Sequence, residues 1–102
     1  MTDKHYILKD KQIIETDLMS WAEWFETAKE DRIVKQETLT NGNQVSTVFL
    51  GIDHNFKEGP PLLFETMVFP KKGDSELDMK RYSTYEEAEE GHKKMVKKYE
   101  FE

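Results

Sequence analysis

Apolar and polar positions along this chain repeat with two periods, and the switches between them mark out its elements. Tyr6-Ile7-Leu8 and Gln12-Ile13-Ile14, separated by Lys9-Asp10-Lys11, read as a short strand or hairpin. From Leu18 the period lengthens. Leu18, Trp21, Ala22, Phe25 and Ala28 recur at spacings of three and four, with Trp24 at the edge of the stripe, and Thr16 or Asp17 stands where a cap belongs. This predicts a helix to about residue 29. Ile33 to Thr40 then alternates, with Ile33, Lys35, Glu37 and Leu39 opposing Val34, Gln36 and Thr38. Asn41-Gly42 follows, and a second apolar run begins at Gln44. Asn-Gly between two strand patterns predicts a tight hairpin, with positive φ at both turn positions. Leu62 to Phe69 reads as a further strand ending at Pro70, and Met79 to Tyr82 as a short edge strand beyond a polar loop. Ser83 and Thr84 each have a Glu three residues later, so a capping box opens a last helix. Its stripe is Tyr85, Ala88, His92, Met95, Val96 and Tyr99.

The order β-β-α-β-β-β-(β)-α predicts one α+β domain over residues 1–102, with an antiparallel sheet of four to six strands and two amphipathic helices packed on it. The central strands add a constraint. In Leu62–Phe69 one parity is Leu62, Phe64, Thr66, Val68 and the other Leu63, Glu65, Met67, Phe69. A sheet with one wet face should alternate more cleanly. The second face therefore needs a cover of helix, loop, ligand or second subunit, and a homo-oligomer is expected.

Composition narrows the setting. At 36 % apolar and 35 % charged, with twelve aromatic residues, the chain is globular and not intrinsically disordered. It has no cysteine, which removes disulfides and thiolate chemistry and fits a reducing compartment. No apolar run approaches a membrane span and no signal-peptide pattern opens the chain, so a cytoplasmic protein with no membrane partner is expected. The net charge of −6 argues against duplex nucleic acid as a partner. Lys93, Lys94, Lys97 and Lys98 follow Glu86, Glu87, Glu89 and Glu90 on one helix, and read as a solvated face with i,i+4 pairs Glu89–Lys93 and Glu90–Lys94.

The candidate chemistry gathers between the two apolar runs. Asp53-His54-Asn55 follows a strand; it is either a polar cluster with His54 as donor, acceptor or base, or a turn whose Asp and Asn bond their own backbone. Glu65 lies in the most apolar strand and is either ligand-facing or on a wet edge. His92 sits in a helix stripe and reads as a core or boundary residue. Lys57, Lys71, Lys72 and Arg81 fall in or beside loops; brought together, with Phe56 and Asn55, they would suit a small phosphorylated ligand. His5, His54 and His92 lack metal-ligand spacing, and no phosphate-loop, dinucleotide or serine-hydrolase motif occurs. No cofactor, metal or catalytic set is expected.

Val45-Ser46-Thr47-Val48-Phe49-Leu50-Gly51-Ile52-Asp53-His54-Asn55-Phe56, then Gly59-Pro60-Pro61-Leu62-Leu63-Phe64-Glu65-Thr66-Met67-Val68-Phe69, and Arg81-Tyr82-Ser83-Thr84-Tyr85-Glu86-Glu87-Ala88-Glu89-Glu90-Gly91-His92 resemble a group of small phage and prophage proteins of unassigned activity. The resemblance spans nearly the whole chain. It implies a small accessory protein acting in the cytoplasm of an infected bacterium. The expectation is a non-enzymatic counter-defence binding protein that sequesters a nucleotide-type signal through Asp53, His54, Asn55, Phe56, Lys57, Glu65 and Arg81. An inhibitor occluding a host defence protein or enzyme is the alternative, and a small hydrolase using His54 as base is the third.

Overall fold

Eight elements follow one another in the computed structural model: β1 (His5–Lys9), β2 (Gln12–Thr16), α1 (Leu18–Thr27), β3 (Ile33–Thr38), β4 (Gln44–Phe49), β5 (Phe64–Phe69), β6 (Asp78–Tyr82) and α2 (Tyr85–Tyr99). Residues 4–55, 57–73 and 75–101 are described. The chain is α+β. β1 and β2 form a two-stranded ribbon, and β3-β4-β5-β6 form an antiparallel sheet in sequence order. No helix among the described residues is long and apolar enough to cross a membrane.

The two hairpin turns use chemistry opposite to their sequences. Asn41-Gly42 lies in a longer connection in which Gly42 N–H donates to the Leu39 carbonyl at 2.9 Å and Leu39 N–H to that of Asn43 at 2.7 Å. Gly42 takes positive φ and Asn41 does not. This is a three-residue loop with its left-handed residue at glycine, and the expected pair of positive φ values is not formed. The two-residue turn with both φ positive lies instead between β1 and β2, at Asp10 (φ 50°) and Lys11 (φ 67°).

The strands end where backbone chemistry stops them. β4 halts at Phe49 because Gly51 turns at φ 80°, and Trp21 packs so closely there that a side chain would meet its indole nitrogen. A register shift between Ile33 and Lys35 breaks the expected alternation of β3. Ile33 then pairs with Val48 on one face, while Val34 packs into the core and Glu37 reaches α2.

One sheet face carries Val45, Thr47, Phe49, Phe64, Thr66, Val68 and Tyr82, all buried. α2 lies on it through Ala88, His92, Met95 and Tyr99. A run of edge-on rings crosses this layer, Trp24–Phe49–Phe64–Tyr85, with centroid separations of 5.8, 5.1 and 5.8 Å. Each such contact adds roughly 0.5–1.5 kcal/mol beyond burial and fixes ring orientation. Trp24, expected at the stripe's edge, is thus an anchor of α1, whereas Leu18 is 57 % exposed. Asp17 caps α1 by accepting from Ser20 N–H, and Thr84 with Glu87 forms the capping box of α2.

The other sheet face has neither helix over it. Val48, Glu65, Met67, Phe69, Met79 and Arg81 point that way together with the uncharged Gln36, Thr38, Gln44 and Ser46, and α1 packs against β1 instead. Two apolar side chains at its margins are well exposed, Ile33 at 37 % and Met79 at 40 %.

Candidate functional site

The loop after β4 spends its polar groups on itself. Oδ1 of Asp53 accepts from the backbone N–H of Asn55 at 2.7 Å and of Leu62 at 2.8 Å. Asn55 donates through Nδ2 to the Pro60 carbonyl at 2.9 Å and accepts from Lys57 N–H through Oδ1 at 3.0 Å. Asp53 and Asn55 therefore close the loop, as short polar side chains do in turns. His54 Nδ1 lies 2.8 Å from the Ile52 carbonyl. A carbonyl only accepts, so the neutral ring carries its proton on Nδ1, leaving Nε2 without it. Lys57 is exposed, and Phe56 lies outside the described residues.

Glu65 and Arg81 face each other across β5 and β6 on the uncovered face, with Arg81 Nε donating to Glu65 Oε2 at 2.9 Å. The Glu65 side chain is only 13 % exposed. Among the described residues no hydrogen bond or ion pair joins this pair to the 53–57 group. The basic spot drawn from Lys57, Lys71, Lys72 and Arg81 does not assemble. Lys57 lies in the connection at one end of β5, and Lys71 packs against Gly42 at the other end. A six-residue strand, roughly 17–20 Å long, separates them.

His92 is a core residue, 1 % exposed, and it joins a buried polar chain. Its Nε2 lies 2.6 Å from Glu37 Oε2 and its Nδ1 2.7 Å from Thr47 Oγ1, which is 2.6 Å from Thr66 Oγ1. A carboxylate oxygen accepts, so the bond to Glu37 orients His92 Nε2–H, and Nδ1 shares the second bond with the Thr47 hydroxyl. The sequence is that of an acid, a base and a hydroxyl, yet Thr47 is fully buried. Tyr82 neighbours this chain. Burial pushes its phenol up, and the Thr66 side chain pulls the other way without meeting hydrogen-bond geometry. The helix lysines are exposed as expected, although the pairs that form are Lys93–Glu90, at i,i+3, and Lys98–Asp78, across to β6.

A groove of about 530 Å³ opens at the β1–β2 turn, lined by Ile7, Leu8, Lys9, Asp10, Lys11, Trp24, Asp31 and Tyr85. Trp24 and Tyr85 are the two ends of the aromatic run, so packing on Phe49 and Phe64 holds both rings in place. The Lys11 ammonium stands 5.5 Å from the Tyr85 ring centroid. Two lysines and two aspartates line it beside two aromatic and two aliphatic residues, a mixture found in small-ligand sites. The sequence pattern places Tyr85 in a helix stripe and Trp24 at the edge of one, and gives no binding role to Lys9, Lys11 or Asp31. The available signal was Asp10-Lys11 itself, a two-residue link without glycine between β1 and β2. No group of three or more His, Asp or Glu side chains is gathered for a metal among the described residues. No family model, curated protein or solved structure matches the chain.

Proposed function

We propose that this chain is a non-enzymatic binding protein that sequesters a small nucleotide-type ligand in the groove between the β1–β2 turn, α1 and the start of α2. The observation that carries this reading is the Lys11 ammonium held over the Tyr85 ring inside a concavity that Trp24 also lines. A flat base is recognised by rings whose orientation is already fixed, at little entropic cost, and a phosphate by cations beside them. Asp31 offers an acceptor for amino or hydroxyl groups. Lys9 and Lys11 balance Asp10 and Asp31, so the groove is formally neutral. That favours a nucleotide with one or two negative charges over a polyphosphate. The volume lies within the usual range for small-ligand sites, about 300–1,000 Å³. The site thus moves away from the 53–57 loop, whose Asp53 and Asn55 oxygens and amide close the loop. The resemblance to phage proteins supplies the biological setting, withdrawal of a host defence signal.

Equilibrium dialysis against cyclic and linear nucleoside monophosphates tests the reading. At least one member should be retained and released chemically unchanged on denaturation. Lys11→Ala and Tyr85→Leu should each weaken retention about tenfold or more, the loss of a cation–π or stacking contact. Uptake of no member, or uptake indifferent to both substitutions, contradicts it.

A further inference from the structure

We infer that the uncovered face of the four-stranded sheet is a self-association surface, and that its occupant is a second copy of this chain related by a two-fold axis. The inference rests on charge and register and does not depend on the groove. With 21 acidic and 15 basic residues, two copies repel over most of their surfaces. The uncovered face is different. Among the strand residues that point to it, the ionisable side chains are Glu65 and Arg81, one of each sign, paired across neighbouring strands. Around them stand Ile33, Val48, Met67, Phe69 and Met79, with the uncharged Gln36, Thr38, Gln44 and Ser46 toward β3. This is a surface without net charge on an acidic chain, apolar on its β5–β6 side and polar but uncharged along β3 and β4.

It is also self-complementary. An isologous interface needs each patch to meet itself, so that residue i touches j and j touches i. A two-fold axis passing near the pair sets Arg81 of each copy beside Glu65 of the other, while Met67, Val48 and Met79 cover their counterparts. A basic partner surface would gain nothing from a face whose charge is already balanced, and nucleic acid finds a single cation held by a carboxylate. Burying the Glu65–Arg81 pair is tolerable because its Nε–Oε2 bond is already made within each chain. A second copy also removes from water Met67 and Phe69 of β5, with Val48 and Met79 beside them, which a one-sided sheet would leave wet.

Sedimentation equilibrium on the whole chain tests this. The expected mass is twice the 12.1 kDa of the chain at concentrations up to about 100 µM, where even weak association populates the dimer. Met67→Glu should raise the dimer dissociation constant about 30-fold or more, with an unchanged circular dichroism spectrum. Should Met67→Glu disturb the fold, Met79→Glu at the exposed margin of the same face serves in its place. Arg81→Glu should also dissociate the dimer, and Glu65→Arg with Arg81→Glu should restore it, since the reversed pair is again self-complementary. Met19→Glu on the exposed side of α1 and Lys11→Ala in the groove should leave the mass unchanged. A monomer throughout this range, or a dimer indifferent to Met67→Glu, Met79→Glu and Arg81→Glu, overturns the inference.

Discussion

His92 and Thr47 lie 2.7 Å apart through Nδ1 and Oγ1 in the interior, and Thr47 in turn lies 2.6 Å from the Thr66 hydroxyl. Thr47→Val keeps the shape and removes the hydroxyl that serves both neighbours. We expect it to cost about 1–3 kcal/mol, because two buried groups lose a partner. Adding Thr66→Val removes one of those orphans, so the double variant should lose less than the sum of the singles, by about 0.5 kcal/mol or more. Urea denaturation of the four proteins checks this, and strict additivity would show that the three groups do not act as one network.

Gly91 reverses an ordinary rule. Gly to Ala within a helix usually stabilises by about 1 kcal/mol. A Cβ at Gly91 would land on the Tyr82 ring and hydroxyl, and Tyr82 is buried against the core. Gly91→Ala should therefore destabilise by about 1–3 kcal/mol, the cost of overpacking. In a Tyr82→Leu background the same change should become neutral or stabilising. Thermal melts of both pairs test the sign.

Asp78 ties β6 to α2. Lys98 Nζ and the Tyr99 hydroxyl each donate to Asp78 Oδ2 at 2.8 Å. The Lys98 bond foremost, then that of Tyr99, holds the carboxyl below its ordinary value of 3.8. The carboxylate's contribution is therefore complete above about pH 3.8 and fades as pH falls through the lowered folded value. The Asp78 bond raises the titration of Lys98 and Tyr99 above their ordinary values of 10.5 and 10.0. Their share is complete below those values and is lost as pH rises past them. Asp78→Asn should thus melt lower than the parent across neutral pH, with the gap closing at both extremes. A gap independent of pH between 2 and 12 contradicts the assignment.

The β1–β2 turn separates stability from binding. Lys11 occupies a left-handed conformation that costs a residue with a side chain about 1–2 kcal/mol. Glycine adopts it freely, at some cost from its looser unfolded chain. Lys11→Gly should therefore leave stability equal or raise it by up to about 1 kcal/mol, while weakening nucleotide retention. A lysine kept at a strained position for its ammonium has this signature. Loss of stability with unchanged retention would show that Lys11 serves the turn alone.

The architecture was legible because amphipathic period and capping chemistry act locally. Asp17, Thr84 with Glu87, and the stripe through His92 and Tyr99 each follow from neighbours within four residues. What depended on distant contacts was not. The bulge after Ile33 moved Val34 into the core and turned Glu37 toward His92, and no spacing marks that. Asp53 and Asn55 were recognisable as turn formers, but whether they close a loop or meet a ligand depends on where Leu62 and Pro60 return. Lys57 and Lys71 looked adjacent because the strand between them is short in sequence and long in space. Trp24 and Tyr85 are far apart along the chain and become one groove only when Phe49 and Phe64 stack between them.

The most direct measurement is a titration of isotope-labelled protein with a cyclic nucleoside monophosphate, followed by amide resonances. The groove reading predicts saturable shifts centred on residues 7–11, Trp24, Asp31 and Tyr85, including the Trp24 indole, with the 53–57 loop unmoved. No saturable shift, or shifts centred on His54 and Lys57, would contradict it.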